Sequence, residues 1–112
     1  RIGFTTDDGP LVLPVNFAWF EGSIVFRSLD GQKMAAATEG QVVCFEVDDW
    51  DSDTRSGWSV VVRGPAREVT QWAEREQLEN LQLVPWARDV WRPLWIRIDA
   101  AEVTGRTLRP ST

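Results

Sequence analysis

In the stretch FRSLDGQKMAAA, running from Phe26 to Ala37, an apolar approach ends in Arg27 and Ser28. A short turn then passes Gly31, and Gln32 and Lys33 open an alanine-rich run. Two cations, a hydroxyl and the unpaired backbone N–H groups of a helix start are what an anion such as a phosphate group requires. For Arg27 and Ser28 to act together the strand must end near Ser28, because neighbours in a regular strand face opposite ways. Asp30 points to a different arrangement. As an N-cap, its carboxylate would take the same donors and repel an anion, leaving a capped surface helix with a solvated lysine. On spacing alone both arrangements stand.

Two further groups of residues invite chemistry. The acidic run DDWDSD, Asp48 to Asp53, has the look of a calcium loop, but counted from Asp48 the positions that need Gly and Glu are Asp53 and Ser59. It reads as a solvated turn. Trp58, Trp86, Trp91 and Trp95 could stack on a planar ligand, although aromatic residues of a small β domain more commonly serve its core or an interface. The chain contains no histidine, which excludes Ser-His-Asp chemistry, histidine acid–base catalysis and a histidine-ligated metal. No metal site and no catalytic acid, base or nucleophile is assigned. Cys44 is the single cysteine; it cannot form an internal disulfide, and in its apolar run it is expected to be a buried, inert thiol in a reducing cytoplasm.

The elements that must position these residues fit one domain spanning 1–112, since 112 residues suffice for one core and not comfortably for two. Apolar residues make up 43% of the chain, with seven Trp and five Phe, as in soluble globular proteins. A formal charge of −5 without a dense basic patch argues against nucleic acid or an anionic membrane as partner. No run has transmembrane length or signal-peptide character. Because Arg1 falls directly in a strand-like run, a preceding N-terminal segment is expected.

RIGFT and the turn TDDGP predict a hairpin, and Leu11 to Phe20 a strand covered on both faces. IVFR, GQVVCFEVDDW and WSVVVRGPAREV follow as strands, with DSDTRSG as a loop and Gly64-Pro65 as a bend or bulge that interrupts pairing. TQWAEREQLENL predicts a helix with Thr70 as N-cap, and LWIRI and EVTGRTL close the chain. With the alanine-rich helix this makes about six or seven strands and two helices, at spacings that suit a small antiparallel barrel. Seven Trp exceed what one such barrel readily buries, so an apolar patch covered by a second copy is expected.

Taken together, DGPLVLPVNFAWFEGSIVFRSLDGQKMAAA, VCFEVDDWDSDTRSGWSVVVRGPAREV and WIRIDAAEVTGR resemble the pyridoxamine 5′-phosphate oxidase-like branch of the flavin-binding split-barrel superfamily. The resemblance implies a mainly β, six-stranded antiparallel Greek-key split barrel with two or so short helices. It also implies a homodimer holding FMN in grooves between subunits, and an FMN-dependent oxidoreductase acting on a small-molecule substrate. By the same resemblance Arg27, Ser28, Gln32 and Lys33 would hold the FMN phosphate. Val15, Asn16 and Phe17 would line the isoalloxazine, Trp58 and Ser59 would stand at a ring-contacting position, and Arg106 would reach in from the partner subunit. Two alternatives share the fold: a reductase using the deazaflavin F420, with Arg88 and Arg92 for its acidic tail, and a non-catalytic flavin-binding sensor dimer. The C-terminal Arg and His that clamp substrate in authentic pyridoxamine phosphate oxidases have no counterpart here, which argues against vitamin B6 oxidation.

Overall fold

The first two strands are joined by a turn that Thr6 closes. In a computed structural model of the chain, which describes residues 1–28, 39–81 and 94–110, β1 (Ile2–Thr6) and β2 (Gly9–Leu13) pair antiparallel. The Thr6 hydroxyl donates to the Gly9 carbonyl at 2.7 Å and accepts from the Asp8 N–H at 3.2 Å. Gly9 has φ +116°, a conformation that side chains disfavour. Ile2 and Phe4 point inward and are buried.

The run from Leu11 to Phe20 is two strands and not one: β2 stops at Leu13 and β3 spans Phe17–Phe20. Pro14 cannot donate to a ladder, and here the chain crosses between sheet edges. The strand order is β2-β1-β5-β6-β7-β4-β3, so β2 and β3 are its two ends and residues 14–16 connect them across the split. β3 turns into β4 (Ser23–Ser28) through Glu21 and Gly22, both at positive φ, as the two-residue hairpin turn that matches strand twist requires.

β5 (Val42–Asp51) and β6 (Ser56–Glu68) form the longest ladder. The polar loop expected between them is shorter than its composition suggests. Asp51 accepts the backbone N–H groups of Asp53 and Thr54, at 2.9 and 3.4 Å, inside a tight hairpin end. Gly64-Pro65 does not interrupt the β5 ladder, which runs through Val43↔Gly64 and Val42↔Pro65. What changes there is the other edge of β6. Residues 57–63 pair with β8 (Glu102–Leu108), and Ala66–Glu68 pair with β7 (Leu94–Asp99). The β7–β8 corner passes directly over Gly64, where a Cβ would land on the Asp99 carbonyl oxygen, and the Ala101 N–H donates to Arg63 O at 2.9 Å.

The sheet therefore forms the expected mainly β, antiparallel split barrel, but with eight strands among the described residues and not six, the seven strand runs of the sequence becoming eight because Leu11–Phe20 divides. One helix, α1 (Trp72–Glu79), lies among the described residues; the alanine-rich helix expected after Lys33 lies outside them. Ile2, Phe4, Ile24, Phe26, Val43, Phe45, Val62, Ile96 and Ile98 fill the inner face, each contributing roughly 1.5–3 kcal/mol by burial. A second cluster on the outer face packs Val25, Val69 and Trp95 against Leu78 of α1, with Ala18 and Phe20 at its border.

Two local expectations are corrected. The N-cap of α1 is Gln71, in extended conformation and without a side-chain cap bond, and not Thr70. Val69 sets this start, because it is buried and its N–H donates to the Trp95 carbonyl at 2.9 Å. Cys44 is exposed, not buried. Val43 and Phe45 take the inward positions of β5, so alternation turns Cys44 outward. No helix among the described residues is long and apolar enough to cross a membrane.

Candidate functional site

The β3–β4 register places two of the sequence motifs side by side. Phe17 pairs with Phe26, so residue 16 lies next to Arg27 one step beyond the ladder, and the segment 15–17 borders the end of β4. Val15 packs on the inner core. Phe17 meets Phe45 edge-on, with centroids 4.8 Å apart and planes at 61°, and remains 37% exposed. A flat apolar ligand could rest on such a wall, with backbone groups of the 14–16 connection at its edge. Asn16 is exposed in that connection and is engaged by its surroundings.

Arg27 leaves β4 on the opposite face, toward α1. Its guanidinium carbon lies 5.3 Å from the Trp95 ring centroid, and its Nη2 is 3.8 Å from Glu79 Oε1. Its Nε is buried without a hydrogen-bond partner among the described residues. A buried, unpaired donor on a cation costs free energy that a bound anion would recover, so this position fits a phosphate group. Ser28, the last described residue of β4, pairs with Leu94. Gln32 and Lys33, the other two residues of that arrangement, lie outside the described residues.

Trp58, Ser59 and Arg106 stand elsewhere. Ser59 pairs with both Asp48 and Arg106 on the outer face, while Trp58, with Asp49 and Thr107, belongs to the inner face. Trp58 lies ten positions before Glu68 on β6, about 33 Å along an extended strand, whereas the C-terminal end of β6 is the one next to Trp95. Within one chain these three residues are not brought to Arg27. Around Trp58 the barrel is open: Asp49, Asp51, Ser56, Gly57, Thr107 and Arg109 line a groove of about 390 Å³ with it. Arg109 was not distinguished by the sequence, being a lone cation near the chain end.

Two carboxylates of α1 also escaped sequence reasoning. Glu74 accepts from Arg67 at 2.9 and 2.8 Å and from Arg97 at 2.9 Å. Hydrogen bonding from Arg67, with the charges of both arginines, holds the Glu74 carboxyl below the usual range. Arg97 also donates to Ser23 Oγ at 2.9 Å, and Ser23 to Asp99 at 3.0 Å. Glu79 accepts from the Trp95 indole at 2.8 Å. These partners are far apart in sequence, so no local pattern signals them. On the outer face of β5, Arg1 bridges Glu46 and Asp48 at 2.9 and 3.0 Å. Hydrogen bonds from Glu46 and Arg1 hold the Asp48 carboxyl low, whereas burial and the neighbouring Asp48 push Glu46 up.

The fold agrees with what the chain is similar to. The family model described as pyridoxamine 5′-phosphate oxidase matches residues 1–107. The chain belongs to the pyridoxamine 5′-phosphate oxidase-like family. The uncharacterized protein Rv3129 of Mycobacterium tuberculosis is 34% identical over 87 residues, covering 78% of this chain and 76% of that protein. The FAD-binding protein of Mycobacterium smegmatis superposes with a TM-score of 0.81 at 34% identity, covering 98% of this chain and 85% of that one. A FAD-binding protein from Mesorhizobium loti (mll6688) gives 0.72 at 25% identity, covering 96% and 82%. The solved structures similar to this chain thus include flavin-binding proteins.

Proposed function

We propose that the chain is a flavin-dependent oxidoreductase acting on a small substrate, with FMN as cofactor and a homodimer as its working form. The observation that carries the reading is the Arg27 guanidinium, whose Nε is buried without a hydrogen-bond partner among the described residues, at the end of the strand that the Phe17↔Phe26 register sets beside the 15–17 segment. Bound flavin supplies the electron chemistry, which frees a chain without His or Tyr from providing an acid, base or nucleophile of its own. Arg27, together with Ser28, Gln32 and Lys33, would neutralise the phosphate. Val15 and Phe17 would exclude water from one side of the ring, and Asn16 would offer polar contacts at its edge.

The second protomer has a physical rationale. Trp58 and Val103 on the inner side, and Trp50 and Leu108 on the outer side, leave large apolar side chains 44–56% exposed, more than an isolated surface of this size usually carries. A second copy placed over this end would cover them and bring Trp58, Ser59 and Arg106 to the other protomer's Arg27 end, completing the groove that one chain leaves in two parts.

Spectral titration of the purified chain with FMN, FAD, riboflavin and F420 tests the proposal. FMN should bind, and the double variant Arg27→Ala/Lys33→Ala should lose it while remaining folded. A colourless protein with affinity for none of the flavins would refute the reading, and preference for F420 would replace FMN by the deazaflavin. Bound flavin that no electron donor reduces and oxygen does not reoxidise would favour the sensor.

A further inference from the structure

Helix α1 carries two inward carboxylates that treat their arginines differently. Glu74 grips Arg67 and Arg97 with hydrogen bonds of 2.8–2.9 Å. Glu79, five residues on, approaches Arg27 only to 3.8 Å, beyond hydrogen-bond range, and bonds instead to the Trp95 indole at 2.8 Å. The Arg27 side chain is 22% exposed and its Nε is buried without a partner among the described residues, while Glu79 is 47% exposed. Arg27 therefore has a neighbouring negative charge but incomplete hydrogen bonding, and the carboxylate beside it is anchored through a different group.

We propose that Glu79 is the resident counter-ion of an anion seat on Arg27: it balances the guanidinium in the free chain and is displaced from it when a phosphate group binds. A phosphate offers more charge and more acceptors than this loose carboxylate contact, so it prevails, but the like charge of Glu79 weakens its binding. Because Glu79 ends α1 and shares Trp95 with Arg27, occupancy of the seat is transmitted to the helix end and to the indole. The proposal rests on the flavin reading only in taking the cofactor phosphate as the natural occupant.

The Trp95 indole N–H, assigned through Trp95→Phe, reports the seat in nitrogen-15 spectra of the whole chain titrated with FMN, riboflavin or inorganic phosphate. FMN and phosphate should shift this signal, and riboflavin, which lacks the phosphate, should not. Glu79→Gln keeps an acceptor for the indole and should tighten FMN about three- to fivefold, the scale of a half-exposed ion pair, leaving riboflavin affinity unchanged. Glu79→Ser, which withdraws the acceptor as well, should give a similar gain should the glutamine variant fold poorly. Equal gains for FMN and riboflavin, or no gain in either variant, would overturn the role of Glu79. Flavin binding with an inert Glu79→Gln would remove this inference and leave the flavin reading. Phosphate binding that Glu79→Gln tightens, with no flavin binding, would do the reverse. No response to any of the three would remove both.

Discussion

Glu74→Gln is a stringent test of how α1 is held to the sheet, because it keeps the shape of the side chain and removes only its charge and one acceptor oxygen. Three charge-assisted bonds converge on the wild-type carboxylate. Arg97 is only 12% exposed, so its bond should contribute about 1.5 kcal/mol. Arg67 is 43% exposed, and solvent screening limits its share to about 0.5 kcal/mol. The expected loss is about 2 kcal/mol near pH 7. With an unfolding entropy of about 0.24 kcal/mol/K for a chain of this length, that corresponds to a fall in Tm of about 8 °C. The folded pKa of Glu74 lies below its ordinary value of 4.5, so the contribution is full above that value and is lost as pH falls through the folded one. Urea unfolding of both proteins at fixed concentration should show a constant gap from about pH 6 to 7 that closes below about pH 4.5. A gap under about 0.5 kcal/mol at pH 7, or one that widens in acid, would show that Glu74 does not clamp the helix.

Further outcomes follow from the same contacts. Gly64→Ala should cost about 3 kcal/mol or prevent folding, because its Cβ meets backbone at Asp99 and Ala101 and not a side chain that can move aside; thermal unfolding within about 2 °C of wild type would refute the tight corner. Trp58→Glu with Leu108→Glu places charge in the exposed apolar end, and sedimentation at micromolar concentration should change from dimer to monomer. A wild-type monomer would remove the second protomer from the site. In the flavin titration, Arg27→Lys should weaken FMN more than riboflavin by about tenfold, since a point charge cannot reproduce the planar guanidinium against Trp95; equal weakening would place the phosphate elsewhere.

Much of the barrel was legible because strand alternation is a local property. Val43 and Phe45 inward and Trp58 near a loop could be read from period-two patterning, and the Asp-Gly and Glu-Gly pairs marked their turns. The same rule also foretells Cys44 on the outer face, but its apolar neighbours suggested burial on both sides, which an exposed face of β5 does not provide. The break at Pro14 was written in the residue type and masked by the apolar run around it. The proposed site was legible in part: the FRS motif and the VNF segment were visible as motifs, but their adjacency depends on the Phe17↔Phe26 register.

Residue types and short-range periodicity by themselves determined the class of fold, the absence of histidine chemistry and the concentration of cationic and hydroxyl groups after Phe26. Tertiary structure alone decided that β6 exchanges β8 for β7 at Gly64, that Arg27 faces Trp95 and Glu79, and that Trp58, Ser59 and Arg106 stand at the other end of the strand. The reason is that strand order and facing partners are set by contacts between segments tens of residues apart. Their free energies depend on packing all at once, and no window of neighbouring residues contains them.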